Sequence, residues 1–391
     1  MCLNAQDYFP SRPNAKYIYK GFKNNFLNFT KYEDYNTDSK IQLRFNNSDS
    51  SFLNIYEYTP IGIKLIINKT DIDYRENLIN EKFNVNNFII KEPIKKDSFW
   101  FLSDGSKRII TSINANINTI YEYFTSALEI TTLSKNNSIS IDYYVKNIGL
   151  VKSIYYINDI GLLSAELEDI VEDTPLTQNI KFFYPDSRLN SIWFIEKTLN
   201  FYTNESNTLA FAKAFELPPK GLLPLINKNV SINQLYFDYN NKFVYIDFSK
   251  DLFYFLDNYQ KEIYWFIASI FETLRNYYHT DNILITIEKK PYSFNLTSLE
   301  LLQKKLPTTN QKWIISDCNL PLTYVVKEND SIVNIAEEFE TTHLKLTKIN
   351  KIKNPNLLLP NQVLQIYSSG TYTIKAKDTL NSISEKFGIS Y

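Results

Sequence analysis

The sequence predicts a multidomain α+β protein with a β-rich N-terminal domain, a middle α+β sandwich and a small C-terminal βααβ module. Short runs of β-branched and aromatic residues dominate the first part of the chain. Strand and helix patterns alternate in the middle, and one strand–helix–helix–strand pattern lies near the end. With 391 residues and 44% hydrophobic content, the chain can bury several cores.

Charge and composition argue against several classes of function. Lys and Arg total 42 against 43 for Asp and Glu, so no global field favours nucleic acid or an anionic membrane surface. No run of about 18 apolar residues is present, so we expect no transmembrane helix. The two cysteines and two histidines are too few for a disulfide framework or a structural zinc site. We therefore expect no metal, no cofactor and no nucleic-acid partner.

The N-terminal domain is placed at residues 1–170. Its clearest predicted strands, spaced as in an antiparallel sheet, are Ile41–Phe45, Ile61–Ile67, Ile109–Ile113, Ala127–Thr131 and Ile139–Val145. The segment Ala165–Pro175 concentrates five carboxylates before a proline. This favours a solvated connection between domains over a paired-carboxylate site, because catalytic acids need a fixed separation. Cys2 leaves two alternatives open, a lipid anchor outside the cell or an ordinary free cysteine.

The middle domain is placed at residues 179–296. Its predicted elements are strands Asn179–Phe183 and Ile192–Asn200, a helix over Glu205–Leu217, a hairpin of Ile232–Asp238 and Lys242–Phe248, a helix carrying the apolar stripe from Ile263 to Leu274, and strand Ile283–Ile287. The hairpin turn Tyr239-Asn240-Asn241 offers Asn residues for a positive φ. Asp247 is predicted to be an exposed strand residue, and Asp251 to cap the following helix.

The phrase Val244–Leu252 and the strand Ile283–Ile287 resemble the GerMN domain of bacterial sporulation and germination lipoproteins. The resemblance covers about a hundred residues. It implies a domain for envelope assembly around the spore, with sporulation envelope proteins as partners and no catalytic residues to carry over.

The C-terminal module is placed at residues 322–368. Tyr324–Lys327 alternate as a strand, Asp330 or Ser331 can cap a first helix, Thr342 can cap a second, and Val363–Ile366 returns as the partner strand. In the first helix the apolar positions Ile332, Ile335, Ala336 and Phe339 are expected to face inward. Along its full length this segment resembles the LysM module.

The resemblance implies binding of peptidoglycan or a chitin-like N-acetylglucosamine polymer by two loops at one end of the module. Such a glycan needs backbone amides and small apolar side chains rather than charged catalysts. The predicted glycan-binding residues are Asn329, Asp330, Ser331, Ile332, Asn356, Leu357 and Leu358. Of these, Ile332, Leu357 and Leu358 would form an apolar floor, and Asp330 and Ser331 would either contact the glycan or cap the helix.

A second LysM-like segment is placed at residues 370–391, because Tyr372, Asp378, Ile383 and Phe387 repeat Tyr324, Asp330, Ile335 and Phe339. It lacks counterparts of the second helix and the return strand. We expect it to be mobile, to be completed by another chain, or to reflect a truncated gene.

The sequence thus predicts a non-catalytic glycan-binding protein of the bacterial envelope, linked to sporulation or germination. Two alternatives stay open: a cell-wall hydrolase targeted by its LysM module, and a housekeeping cell-wall lipoprotein. Against a hydrolase, neither His279 nor His343 lies in a metal-ligand motif, and Cys318 has no catalytic motif around it.

Overall fold

The computed structural model describes residues 3–24, 27–48, 50–157, 161–189, 191–259, 263–291, 323–326, 330–338, 342–352, 354–355, 357–360 and 362–365. Its contacts divide the chain into two units. The first unit contains Met1–Gln178 and Leu199–Asn207, and the second contains Asn179–Thr198 and Thr208–Tyr391. The predictions for Cys2, Cys318, Phe339 and the segment 370–391 lie outside the described residues.

One twelve-stranded antiparallel sheet forms most of the first unit, which confirms the predicted β-rich character. Its strands are β1 (Lys16–Phe22), β2 (Phe29–Asn36), β3 (Lys40–Asn46), β4 (Ser51–Thr59), β5 (Gly62–Thr70), β6 (Asn87–Lys91), β7 (Phe99–Phe101), β8 (Lys107–Asn118), β9 (Tyr123–Leu133), β10 (Ile139–Val145), β11 (Gly149–Ile157) and β12 (Gly161–Val171). Their order is β6-β5-β4-β3-β2-β1-β12-β11-β10-β9-β8-β7, and a short 3-10 turn, Ala5–Tyr8, precedes them.

The sheet curls so that its two edge strands approach each other. The indole nitrogen of Trp100 on β7 donates to the carbonyl oxygen of Phe88 on β6 at 2.8 Å. Inside the curl, residues from both halves of the order share one core, including Ile63, Ile90 and Leu128, which are all fully buried. Curling lets a twisted sheet bury one face against itself without a second layer.

Residues 165–171 of the acidic segment predicted as a domain connection are part of β12 instead. Ala165 and Leu167 are buried and alternate with Glu166, whose carboxylate lies 2.7 Å from the Lys152 ammonium. Glu168 lies 3.9 Å from Lys20. For residues 165–171 the prediction of a solvated connection was wrong, because carboxylates that alternate with buried residues along a strand give the same composition as a loop.

Two arginines in the first unit are buried with their partners. Arg44 Nε lies 3.0 Å from Asp34 Oδ2, and both side chains are almost fully buried. Arg75 donates to the hydroxyl of Tyr35 at 2.7 Å and to the carbonyl oxygen of Tyr202 at 3.0 Å. Through Tyr202, this arginine holds the returning segment Leu199–Asn207 in the first unit.

The second unit begins with a hairpin and continues with a mixed sheet and helices. Its elements are β13 (Leu176–Pro185), β14 (Ile192–Phe201), α1 (Asn207–Glu216), β15 (Ile232–Asp238), β16 (Phe243–Phe248), α2 (Asp251–Asp257), α3 (Ile263–Tyr278), β17 (Ile283–Ile287) and β18 (Lys290–Pro291). The first residues of β13 and α1 and the last residues of β14 belong to the first unit. β15 pairs antiparallel with β16, which pairs parallel with β17 across the two helices. Every strand and helix predicted for this region is present to within a few residues. A GerMN-like sandwich is not shown by this arrangement alone.

Three residue-level predictions for this sheet were wrong. Asp247 is 1% exposed and accepts hydrogen bonds from Asn233 Nδ2 and the Lys289 amide at 2.9 and 2.7 Å, so it is a satisfied core carboxylate. Asp251 is the first residue of α2, and the capping position is Lys250. In the β15–β16 turn the positive φ belongs to Lys242 rather than to an asparagine.

The C-terminal elements are β19 (Thr323–Val325), α4 (Ile332–Glu338), α5 (His343–Ile349) and β20 (Val363–Gln365). β19 and β20 pair antiparallel, which confirms the predicted βααβ order. Among the helices that the structure describes, none is long and apolar enough to cross a membrane.

Candidate glycan-binding site

Both helices of the C-terminal module begin at a hydroxyl side chain. Ser331 Oγ accepts a hydrogen bond from the Asn334 amide at 3.1 Å, and Thr342 Oγ1 accepts one from the Lys345 amide at 3.2 Å. Each cap satisfies an amide that the first helical turn leaves without a backbone partner. Of the two capping residues considered for α4, the structure therefore selects Ser331. The prediction of Thr342 for α5 is confirmed.

A single small core joins the helices to the two-stranded sheet. Its buried members are Val326, Ile332, Ile335, Ala336, Leu346 and Leu364, with Ile352 and Leu358 packed at its edge. Ile332 begins the first helix and Leu358 belongs to the loop before β20, so both predicted binding loops are anchored in this core. The module thus has the framework needed to hold two loops at fixed positions.

The loop at 354–362 is organised by local hydrogen bonds. The Leu357 amide donates to the Asn354 carbonyl oxygen at 3.1 Å, and the Leu359 amide donates to Gln362 Oε1 at 3.1 Å. The carbonyl oxygen of Gln362 accepts from the Val326 amide at 2.9 Å, which ties the loop to the first strand of the module. These hydrogen bonds offset part of the conformational entropy that is lost when the loop and its leucines are ordered.

The predicted site residues occupy three kinds of environment. Leu357 is 63% exposed, while Leu358 is half-buried against the core. Ile332 is only 3% exposed, so in this structure it packs the core, and its contact with a glycan stays a prediction. Ser331 is exposed and Asp330 half-buried. Asn329 and Asn356 lie outside the described residues.

Leu359 was missed by the sequence reasoning. It is 62% exposed, close to the value for Leu357 two residues earlier, whereas the leucine between them packs inward. The signal was available, because residues two apart in extended chain share a side. Two exposed leucines beside a half-buried one form a small apolar surface of the kind that contacts sugar rings and N-acetyl methyl groups.

The described part of the chain contains no group of three or more His, Cys, Asp or Glu side chains positioned to hold a metal ion. His343 lies on the exposed surface of α5, and His279 is exposed after α3. In the module, burial lowers the pKa of Lys345. The absence of catalysis stays a prediction.

Comparison with known proteins agrees with the fold of the module. The family model described as "LysM domain" matches residues 324–366 and 372–391. The chain is 35% identical over 81 residues to an N-acetylmuramoyl-L-alanine amidase, sle1, of Staphylococcus saprophyticus. It is 37% identical over 79 residues to its counterpart in Staphylococcus epidermidis.

Each match covers 18% of this chain, and the chain spans about a quarter, 24%, of the length of these relatives. The matches are confined to the LysM region. A solved structure from Bacteroides fragilis, described as having a YmcC-like fold, covers 42% of this chain with 13% identity and a TM-score of 0.23. A likeness at that score supports no argument about fold or function. The C-terminal part of the chain carries a LysM domain, and this domain indicates binding to peptidoglycan.

Proposed function

We propose that the protein is a non-catalytic peptidoglycan-binding protein of the bacterial envelope. Its LysM module would hold it on the glycan, and its other two parts would present surfaces to protein partners. The observation that supports this proposal is the folded βααβ module with Leu357 and Leu359 exposed beside the core. One module is expected to bind weakly, because affinity for a repetitive ligand comes from repeated modules.

A sedimentation assay of the full chain with purified peptidoglycan tests the binding site. Leu357→Asp places a charge where an apolar contact is proposed, and we expect at least a fivefold loss of bound protein because the carboxylate must be desolvated. Leu344→Asp is the matched control, since Leu344 is 70% exposed on α5, outside both loops. Equal binding by both folded variants would mean that the loop at 354–362 is not the site.

A cell-wall hydrolase is the second candidate, because the relatives matched in the LysM region are named as amidases. Zymography on peptidoglycan separates the two functions. We expect no cleared band for the full chain. A cleared band that persists in the purified protein would replace the binding-only proposal with a targeted hydrolase.

A role in sporulation or germination, and the GerMN identity of the middle part, belong to the same proposal. They are supported by the phrase Val244–Leu252 and by the parallel pairing of β16 and β17 across two helices. Transcription restricted to vegetative growth would instead favour a housekeeping cell-wall lipoprotein. Intact mass spectrometry of protein from its native host distinguishes a lipid on Cys2 from a free cysteine.

A further inference from the structure

A cavity of about 330 Å³ lies inside the curled sheet of the first unit. Its volume falls within the range of about 300–1,000 Å³ that is typical of small-molecule sites. Alternate residues of β2, namely Phe29, Lys31 and Glu33, line it, as do Leu43 and Phe45 of β3. This period of two follows from strand geometry and shows that the same side of each of these strands contributes to the cavity.

Four residues on neighbouring strands form a row across the cavity wall, and all of them except Lys31 are aromatic. Tyr17 on β1 is opposite Lys31 on β2, Lys31 is opposite Phe45 on β3, and Phe45 is opposite Phe52 on β4. The rings of Phe45 and Phe52 stack with centroids 4.8 Å apart, and Phe29 lies 6.0 Å from Phe45. The row therefore presents an apolar wall interrupted by a single ammonium group.

Lys31 has no anionic partner among the described residues. Its ammonium nitrogen lies 3.4 Å from the centroid of the Tyr17 ring, and no carboxylate of the described chain lies within ion-pairing distance. Most of its surface is shielded from solvent, and its side chain lines the cavity. Burial is the main cause that lowers the pKa of Lys31 to about 7. An unpaired cation in such surroundings is costly for the fold, which points to a ligand rather than to stability.

The other charged groups at the cavity are already engaged. Glu33 accepts hydrogen bonds from Ser11 Oγ at 2.7 Å and from the Arg12 amide at 2.8 Å. The guanidinium of Arg12 lies 2.8 Å from Glu172. Lys31 is thus the charged group left to meet a ligand in this part of the structure.

We propose that this cavity binds an amphiphilic monocarboxylate whose apolar body lies along the aromatic row and whose carboxylate pairs with Lys31. The ring faces of Phe45 and Phe52 suit a hydrocarbon body. A charge-assisted hydrogen bond to the ammonium would satisfy a donor for which the described residues supply no acceptor. A single negative charge fits better than two, because the Glu33 carboxylate lies on the same strand face.

Calorimetric titration of the full chain with decanoate and with decan-1-ol tests this assignment, since the two share a chain and differ in the head group. At pH 6.5 we expect decanoate to bind at least tenfold more tightly than the alcohol. Lys31→Met should bring that ratio close to one while binding of the alcohol is kept, and Lys31→Arg should preserve the preference. Lys95→Met, at an exposed lysine of the same unit, is the matched control.

Two outcomes would overturn the proposal. One is the absence of binding of both compounds by the wild-type chain. The other is tight decanoate binding that Lys31→Met leaves unchanged. If Lys31→Met loses the preference for decanoate but still binds decan-1-ol, the proposal is supported. Peptidoglycan sedimentation by the same variants should be unaffected, so failure here and failure of the glycan proposal are distinguishable.

Discussion

Replacing Lys31 with methionine is expected to stabilise the first unit most at neutral pH and progressively less as the pH rises. Burial lowers the pKa of Lys31 from 10.5 to about 7 in the folded chain, whereas the unfolded chain keeps the ordinary value. Between these values the unfolded chain binds one proton more than the folded chain. The stability of the wild-type protein therefore rises with pH across this interval, and the full penalty is present below it.

The magnitude follows from the same pKa. Each pH unit between the folded and unfolded pKa values changes the free energy of unfolding by about 1.4 kcal/mol. From pH 7 to pH 9.5 the free energy of unfolding of the wild-type protein should therefore rise by about 3 kcal/mol. Water that enters the cavity beside Lys31 reduces this figure, and we expect about 2 kcal/mol. The stability advantage of Lys31→Met over the wild type should shrink by that amount between pH 6.5 and pH 9.5.

Urea unfolding of the full chain, followed by the fluorescence of Trp100 in the first unit, measures this difference. Three other tryptophans are replaced by phenylalanine in all chains: Trp193, Trp265 and Trp313. Lys95→Met provides the control and should show no dependence on pH in this window. The same comparison of Lys31 with methionine in a Glu33→Gln background tests whether the neighbouring carboxylate causes the pH dependence. An advantage of Lys31→Met that stays constant from pH 6.5 to pH 9.5 would refute the argument that Lys31 loses its proton on folding.

Three further perturbations test other parts of the chain. Leu346→Ala removes a fully buried side chain of the LysM core and should cost about 2–5 kcal/mol, abolishing peptidoglycan sedimentation, while Leu344→Ala at an exposed position should not. Thr342→Ala deletes a helix cap and should cost about 1 kcal/mol, seen as earlier urea unfolding of the module with binding kept under native conditions. Asp34→Asn leaves the buried guanidinium of Arg44 without its counter-ion, so we expect a loss of about 3 kcal/mol or more in the first unit. Adding Arg44→Met should restore part of that loss, and strictly additive effects would show that the pair is not coupled.

The elements that could be predicted from the sequence are those whose periodicity reflects local geometry. The alternation in β10 and β16, the apolar stripe of α3 and the caps of the LysM helices each depend on residues close in the chain. The strand–helix–helix–strand order of the module could be predicted for this reason, because its elements lie within about 45 residues. The sequence narrowed the cap of α4 to Asp330 or Ser331, and the structure identifies Ser331.

What could not be predicted depends on contacts between distant residues. Lys31 alternates with Tyr32 as a solvent-facing lysine would, and only the curling of the sheet places it inside a cavity. Asp247 is buried because Asn233 and Lys289 supply donors from other strands or turns. In Ala165–Val171 the carboxylates suggested a connection, whereas their lysine partners come from β1 and β11. Composition within a short window carries no information about such partners.

The return of Leu199–Asn207 to the first unit sets an order of events during synthesis. A ribosome completes all twelve strands of the large sheet by Val171, but the acceptors that Arg75 and Tyr32 need, at Tyr202 and Phe201, are made later. Until they emerge, the fully buried guanidinium has only part of its final set of acceptors. The nascent first unit therefore reaches its final form only after Asn207 leaves the exit tunnel, and by then the hairpin residues Asn179–Thr198 of the second unit have already been synthesised.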